Sequence, residues 1–211
     1  MNRKKVISIV TGSIVVLFLL YHSVYFTSLT ERMEQLNAQL FDPQKAIDLF
    51  WKEAPEKLLE KAIDLSVFDE LLHSNPQELA EKYGKTLGIG APHSILVQGT
   101  VRITEITDEW LKFQLGDKED YYIRTGFIFS NTVREASGYF DLDKFETTME
   151  FNLVAMEINQ RIVKEVVDPI APQLIPSTAI HFLGATDIYP NKPPIHSSVE
   201  IIPIQLTIVQ P

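Results

Sequence analysis

A run of 21 uncharged residues, Val6–Phe26, follows Arg3-Lys4-Lys5 and constrains this chain more than any other feature. As a helix it spans roughly 31 Å, the thickness of a bilayer's hydrocarbon core. The basic cluster precedes it, and the first charges after it are Glu31 and Arg32. The positive-inside bias places the N-terminus in the cytoplasm and the rest of the chain outside. Tyr21, Tyr25 and Phe26 fall where an interfacial aromatic belt belongs. A cleaved signal peptide is the rival reading, since Ile14–Leu20 suffices as its apolar core. Cleavage wants small residues at the −3 and −1 positions, and HSVYFTS offers only Ser and Thr among bulky neighbours. A buried helix of a soluble fold is the least favoured reading, because so small a domain could not cover it on every side. The expectation is a single-pass cell-membrane protein with an uncleaved anchor and a periplasmic C-terminal domain.

Composition narrows the function classes. The 211 residues carry a formal net charge of −9, and Arg3, Lys4 and Lys5 hold all the charge of the first 27, so the outward portion is more acidic still. Such a domain repels a phosphate backbone, and no nucleic-acid partner is expected. There is no cysteine, so disulfides, thiolate zinc sites, thiol catalysis and a lipid-modified cysteine are excluded from these residues.

Beyond the anchor, periodicity divides the chain. Leu29, Met33, Leu36 and Leu40 have helical spacing and predict a short stalk. Asp42-Pro43 predicts a capped helix start, Pro55 a second helix, and Asp64 or Ser66 and then Asn75-Pro76 two more, the last closed by Gly84 as a left-handed cap. From His93 the period becomes two. Strands are expected from His93 through Thr104, over Trp110–Leu115 with Leu111, Phe113 and Leu115 inward, and over Tyr121–Phe129. Gly99 within the first predicts a bulge or sharp bend. Residues 143–167, free of Gly and Pro, predict the long helix, and Ala179–Ile188 and Val199–Val209 the last strands. Pro203 places the final strand at an edge or at a bulge.

Three strands, a helix and two strands is the element order of an OB-fold. The expected class is α+β: an N-terminal transmembrane helix and helical segment, then an OB-like five-stranded antiparallel barrel with one long helix between its third and fourth strands. A generic antiparallel sheet with a packed helix is the alternative. The divisions are 1–27 (cytoplasmic N-terminus and anchor), 28–92 (helical stalk and segment) and 93–211 (barrel).

Several motifs together resemble a bacterial family of predicted periplasmic lipoproteins that carries a domain of unknown function. Phe41-Asp42 with Ala46 and Trp51, Ala62-Ile63-Asp64-Leu65, and Ala80 with Lys82-Tyr83-Gly84 are similar to its opening. Val97-Gln98-Gly99-Thr100-Val101 is similar to its first strand, and Gly126–Ala136 to its arginine-bearing loop, best at Arg134, Glu135 and Ala136. Phe145, Glu150, Phe151 and Ile158-Asn159 follow its helix, and Phe182, Gly184 and Ala185 its late strand. The resemblance spans roughly residues 41–208. Genes of this family often lie beside ribose-type sugar ABC transporters, which implies an extracytoplasmic accessory role with transporter components as partners and no established activity. The lipobox cysteine is missing, Thr147-Thr148 stands where the family has Asn-Gln, and Ser130-Asn131 where it has Gly-Thr. A ligand site built on those positions would be altered here.

No catalytic motif is present. His22, His73, His93, His181 and His196 lack metal-ligand spacing, so no metal and no cofactor is expected. Glu146 and Glu150, four apart, fit a solvated helix face better than acid–base work. Trp51 and Trp110 read as packing anchors, unless exposure makes them sugar-stacking platforms. The candidate ligand or partner residues are Asn131, Arg134, Glu135 and Asn159. Arg134 lies in the loop before the long helix, where it either presents a functional group or ties the loop down. Asn159, on an apolar helix, needs a partner if buried. The leading functional expectation is an accessory or interaction module of sugar ABC transport; the alternative is an envelope sugar-binding protein or hydrolase with a carboxylate-based site.

Overall fold

The computed structural model describes residues 41–115, 120–191 and 198–209. Among them no helix is long and apolar enough to cross a membrane. The expected anchor, the stalk, the turn at 116–119, His22 and His196 lie outside the described residues. Asp42–Pro211 forms one compact unit.

Helix α1 (Pro43–Lys61) starts as its sequence dictates: Asp42 accepts from the backbone N–H of Gln44 at 3.0 Å, and Pro43 fills the first helical position. It runs on through Pro55, where a second helix was expected. Ile47, Phe50, Ala54 and Leu58, buried on one stripe, hold the two halves on a common face. Asp64 caps α2 (Leu65–Ser74) and Asn75 caps α3 (Pro76–Tyr83). Gly84 does close α3, but in an extended conformation, φ −83°. It is small for a different reason: a Cβ there would lie 2.5 Å from the Ala80 carbonyl oxygen and 2.8 Å from His93 Cβ.

The strands are β1 (Ile63–Asp64), β2 (His93–Arg102), β3 (Glu105–Ile106), β4 (Trp110–Gln114), β5 (Asp120–Arg124), β6 (Ala179–Ile188) and β7 (Ser198–Ile208). They form one seven-stranded sheet in the order β1-β2-β6-β7-β5-β4-β3. The expected five-stranded antiparallel barrel is therefore corrected to a mixed sheet, with β1–β2 and β5–β7 parallel. Two causes are local. Ile63-Asp64, between two helices, adds a parallel edge beside Val97-Gln98. The predicted first strand also breaks at Ile103-Thr104, where the Ile103 N–H turns to Thr178 and the Thr104 N–H to Lys112.

Two further strand expectations change. β5 stops at Arg124 and not at Phe129, because the Thr125 and Gly126 N–H groups both turn onto the Glu109 carbonyl. Gly99 makes no bulge: β2 keeps continuous register with β6 past the Gly99–Phe182 pair. A Cβ at Gly99 would sit 3.0 Å from Leu65 Cβ, so glycine here admits the start of α2. Pro203 lies inside the sheet, not at an edge. The bulge reading holds, since the β6–β7 register shifts between Leu183 and Gly184, opposite Gln205 and Pro203.

The predicted helix over 143–167 is three pieces: a 3-10 turn (Leu142–Lys144), α5 (Thr148–Arg161) and a π-helical turn (Ile162–Val167). A capping box sets the α5 start: Thr147 accepts from the Glu150 N–H at 3.2 Å, and the Glu150 carboxylate accepts from the Thr147 N–H at 3.4 Å. A short helix, α4 (Thr132–Ser137), precedes it and ends on Gly138 at φ 58°, in the left-handed region. The core lies between the sheet and these helices. Phe113 stacks on Tyr121 at 5.2 Å between ring centroids, and Phe182 lies 6.0 Å from Phe113.

Candidate functional site

With Leu111 and Phe113 of β4, Tyr121 and Ile123 of β5 and Ile201 of β7 buried, strand alternation turns the intervening residues to the opposite face. Register then aligns them. Trp110 pairs with Arg124, Lys112 with Tyr122, and Tyr122 with Glu200 on its other side. Trp110, Tyr122, Arg124, Ser198 and Glu200 line a pocket of about 270 Å³.

The pocket has an apolar corner and a polar wall. The Trp110 and Tyr122 rings meet edge to face at 85°, centroids 5.8 Å apart, and both are half-buried. Arg124 donates from Nε and Nη2 to the two carboxylate oxygens of Glu200 at 2.9 and 3.1 Å, and from Nη1 to Glu109 at 3.1 Å. The Glu200 hydrogen bonds, and then Glu109, hold the Arg124 guanidinium above the usual arginine range. Beside it Lys112 Nζ lies 2.8 Å from Asp120 Oδ2 and 5.8 Å from the Tyr122 ring centroid. The hydrogen bond to Lys112 lowers the Asp120 carboxyl below 3.8, and the same bond raises Lys112 above 10.5. Gln114 Nε2 also donates to Asp120, at 3.0 Å. The wall thus offers fixed donors and acceptors, with each cation already satisfied by a carboxylate.

The residues expected from sequence lie elsewhere, around α4. Arg134 is buried, its side chain 2% exposed. Its Nη1 donates to the Phe151 carbonyl at 2.6 Å, its Nη2 to Glu135 at 2.5 Å, and its guanidinium lies 3.6 Å from the Phe151 ring centroid. Asn131 is exposed at the start of α4; its carbonyl accepts from the Glu135 N–H, and its side chain makes no cap. Asn159 is buried on α5 and donates from Nδ2 to the Ser130 carbonyl at 2.8 Å. The fold gathers these four residues at one junction, where α4 and the strand-to-helix loop are fastened to α5. Glu146 and Glu150 are absorbed by the α5 cap, the Glu146 N–H donating to Glu150 at 3.0 Å. Among the described residues no three His, Asp or Glu side chains gather as metal ligands.

The sequence singled out Trp110, as a packing anchor before a sugar-stacking platform, but not Tyr122, Arg124 or Glu200. Alternation along β5 exposes Tyr122 and Arg124 once Tyr121 and Ile123 are set inward. Glu200 had no local signal.

The family model of predicted periplasmic lipoproteins, DUF2291, matches residues 14–207. The chain belongs to this family. An OB-fold protein of Thermotoga maritima, known from a crystal structure, superimposes with a TM-score of 0.73 at 23% identity, over 81% of this chain and all of that one. That likeness shows an OB-fold for this DUF2291 member. No curated protein matches the chain. In OB-folds the face of the second and third strands and its flanking loops is where ligands bind. In this DUF2291 chain those strands are β4 and β5, which carry most of the pocket.

Proposed function

We propose that this chain is a membrane-tethered extracytoplasmic accessory module of a sugar ABC transport system, acting by binding through its β4–β5–β7 face. The pocket carries the reading: rigid strands present two aromatic rings and a bidentate arginine–glutamate pair, a preorganised arrangement suited to recognition. The family's periplasmic description supports the compartment. Val6–Phe26, behind Arg3-Lys4-Lys5, supplies a protein tether where these residues have no cysteine to lipidate. A carboxylate-based hydrolase fits less well. It needs a carboxyl free to reach a substrate, and Glu109 and Glu200 are both engaged by Arg124.

Purification of the full chain from detergent-solubilised membranes tests this. The expected companions are a sugar permease and its solute-binding protein, and the chain stays in the membrane fraction after alkaline washing with Met1–Phe26 intact. Recovery without any transport component overturns the accessory role, and an N-terminus starting near Ser28 overturns the tether.

A further inference from the structure

We infer that the pocket on β4, β5 and β7 is a binding site for one ring of a neutral carbohydrate, an inference that rests on this face being the binding surface proposed above. The argument begins with charge. Lys112 and Arg124 face Glu109, Asp120 and Glu200, and every cation is already paired, Arg124 with two carboxylates and Lys112 with one. A phosphate or carboxylate ligand would have to break those pairs and then sit against excess negative charge. OB-folds bind oligonucleotides and oligosaccharides on this face. With the chain at −9 and the local cations neutralised, a nucleic acid is repelled and the saccharide remains.

The chemistry of the lining fits that class. A sugar hydroxyl both donates and accepts, so it is matched by a wall holding donors and acceptors side by side. Here these are the Arg124 guanidinium and the Ser198 hydroxyl, with the Glu200 carboxylate as acceptor. Glu200 is 51% exposed and Arg124 26%, so the ion pair stays accessible to a ligand in the pocket. The C–H face of a pyranose or furanose is apolar, and the Trp110–Tyr122 corner gives it an aromatic surface fixed on adjacent strands. The volume, about 270 Å³, lies just under the ~300 Å³ at which pockets for drug-sized ligands begin. It suits a single ring, with the rest of a longer saccharide outside.

The test uses the full chain in detergent micelles carrying Trp51→Phe, which leaves Trp110 as the only one of the two indoles. Neutral pentoses, hexoses and their short oligomers are titrated while Trp110 emission is followed, with the 5- or 6-phosphates and a single-stranded oligodeoxynucleotide as comparators. A saturable change with at least one neutral saccharide is expected, weakened about tenfold or more by Glu200→Gln and by Tyr122→Leu. The phosphorylated sugars and the oligonucleotide should bind about tenfold more weakly or not at all. Hydrogen exchange on the parent gives a readout that needs no variant to fold: the saccharide should slow exchange in 110–114, 120–124 and 198–201. The inference is overturned if no neutral saccharide perturbs Trp110 at millimolar concentration, if the phosphorylated forms bind more tightly, or if protection falls elsewhere. The same preparation separates the two readings. Transport components captured without saccharide binding defeat this inference alone, and saccharide binding without them defeats the accessory role alone.

Discussion

Arg134 grips Phe151 twice, donating to its backbone carbonyl at 2.6 Å while lying 3.6 Å from the centroid of its ring. Phe151 is in the first turn of α5, so its carbonyl already serves the helix, and the second bond anchors α4 to that helix start. With Glu135 as counter-ion, the guanidinium is held on both sides in a buried setting.

Arg134→Ala is accordingly expected to destabilise the domain by roughly 3 kcal/mol or more, since it strips the half-buried Glu135 carboxylate and the Phe151 carbonyl of a buried partner and opens space against an aromatic ring. Arg134→Lys should recover little, because an ammonium cannot reach Glu135 and the Phe151 carbonyl with one planar fork. Urea unfolding followed by circular dichroism measures both. A loss under about 1 kcal/mol for the alanine variant would return Arg134 to the exposed-pair class.

Two glycines should rank in a definite order. A Cβ at Gly184 would meet Ile201 Cγ2 at 2.5 Å and the Ile202 carbonyl oxygen at 2.9 Å, at the bulge where neither strand has slack. At Gly99 the nearest contact, Leu65 Cβ, is 3.0 Å away at the start of α2. Gly184→Ala should therefore cost about 1–3 kcal/mol, and Gly99→Ala less. Gly99→Val, with two more carbons against Leu65, should cost about 1–3 kcal/mol. Thermal melts of the three variants check the order, and a Gly99→Ala variant less stable than Gly184→Ala would refute it.

Asp187 joins β6 to two other elements. It accepts from Ser94 Oγ at 2.5 Å and from Thr132 Oγ1 at 2.8 Å, and both hydroxyl-bearing residues are buried. Asp187→Ala strands the Ser94 hydroxyl and leaves Thr132 Oγ1 with Ser130 alone, and should cost about 2–4 kcal/mol. Asp187→Asn keeps one acceptor oxygen and should cost about half as much. Denaturant midpoints distinguish them, and equal losses would mean that the hydroxyls find other acceptors.

The Lys112–Asp120 pair predicts a pH dependence with two limits. The Asp120 pKa is lowered by the bond from Lys112, so its contribution is present above about pH 4 and lost as pH falls through the lowered value. The Lys112 pKa is raised by the same bond, so its contribution is present below about pH 10.5 and lost as pH rises through the raised value. The melting-temperature gap between parent and Asp120→Asn should stay level between about pH 5 and pH 9 and close in stronger acid and stronger base. A gap that closes near pH 7 would point to a different titrating group.

What the sequence alone determined is what depends on neighbours along the chain. Asp42 before Pro43 and Asn75 before Pro76 place their helix starts because a cap needs only an oxygen two or three residues from an unpaired N–H. Period-two alternation over β4 sets Leu111 and Phe113 inward, and with them the outward position of Trp110. The Thr147–Glu150 box was legible in the same local way, though the absence of Gly and Pro extended the predicted helix past it.

The tertiary structure alone decided which distant strands lie side by side. β7 enters between β6 and β5, parallel to β5, and only that placement brings Glu200 to Arg124, 76 positions away. It likewise decided that Arg134 turns inward onto Phe151 while Trp110 and Tyr122 stay half open, so the pocket formed away from the residues that stood out in sequence. Alternation says that a side chain points outward but not which strand it will face, because the pairing partner is chosen by burial across the whole sheet.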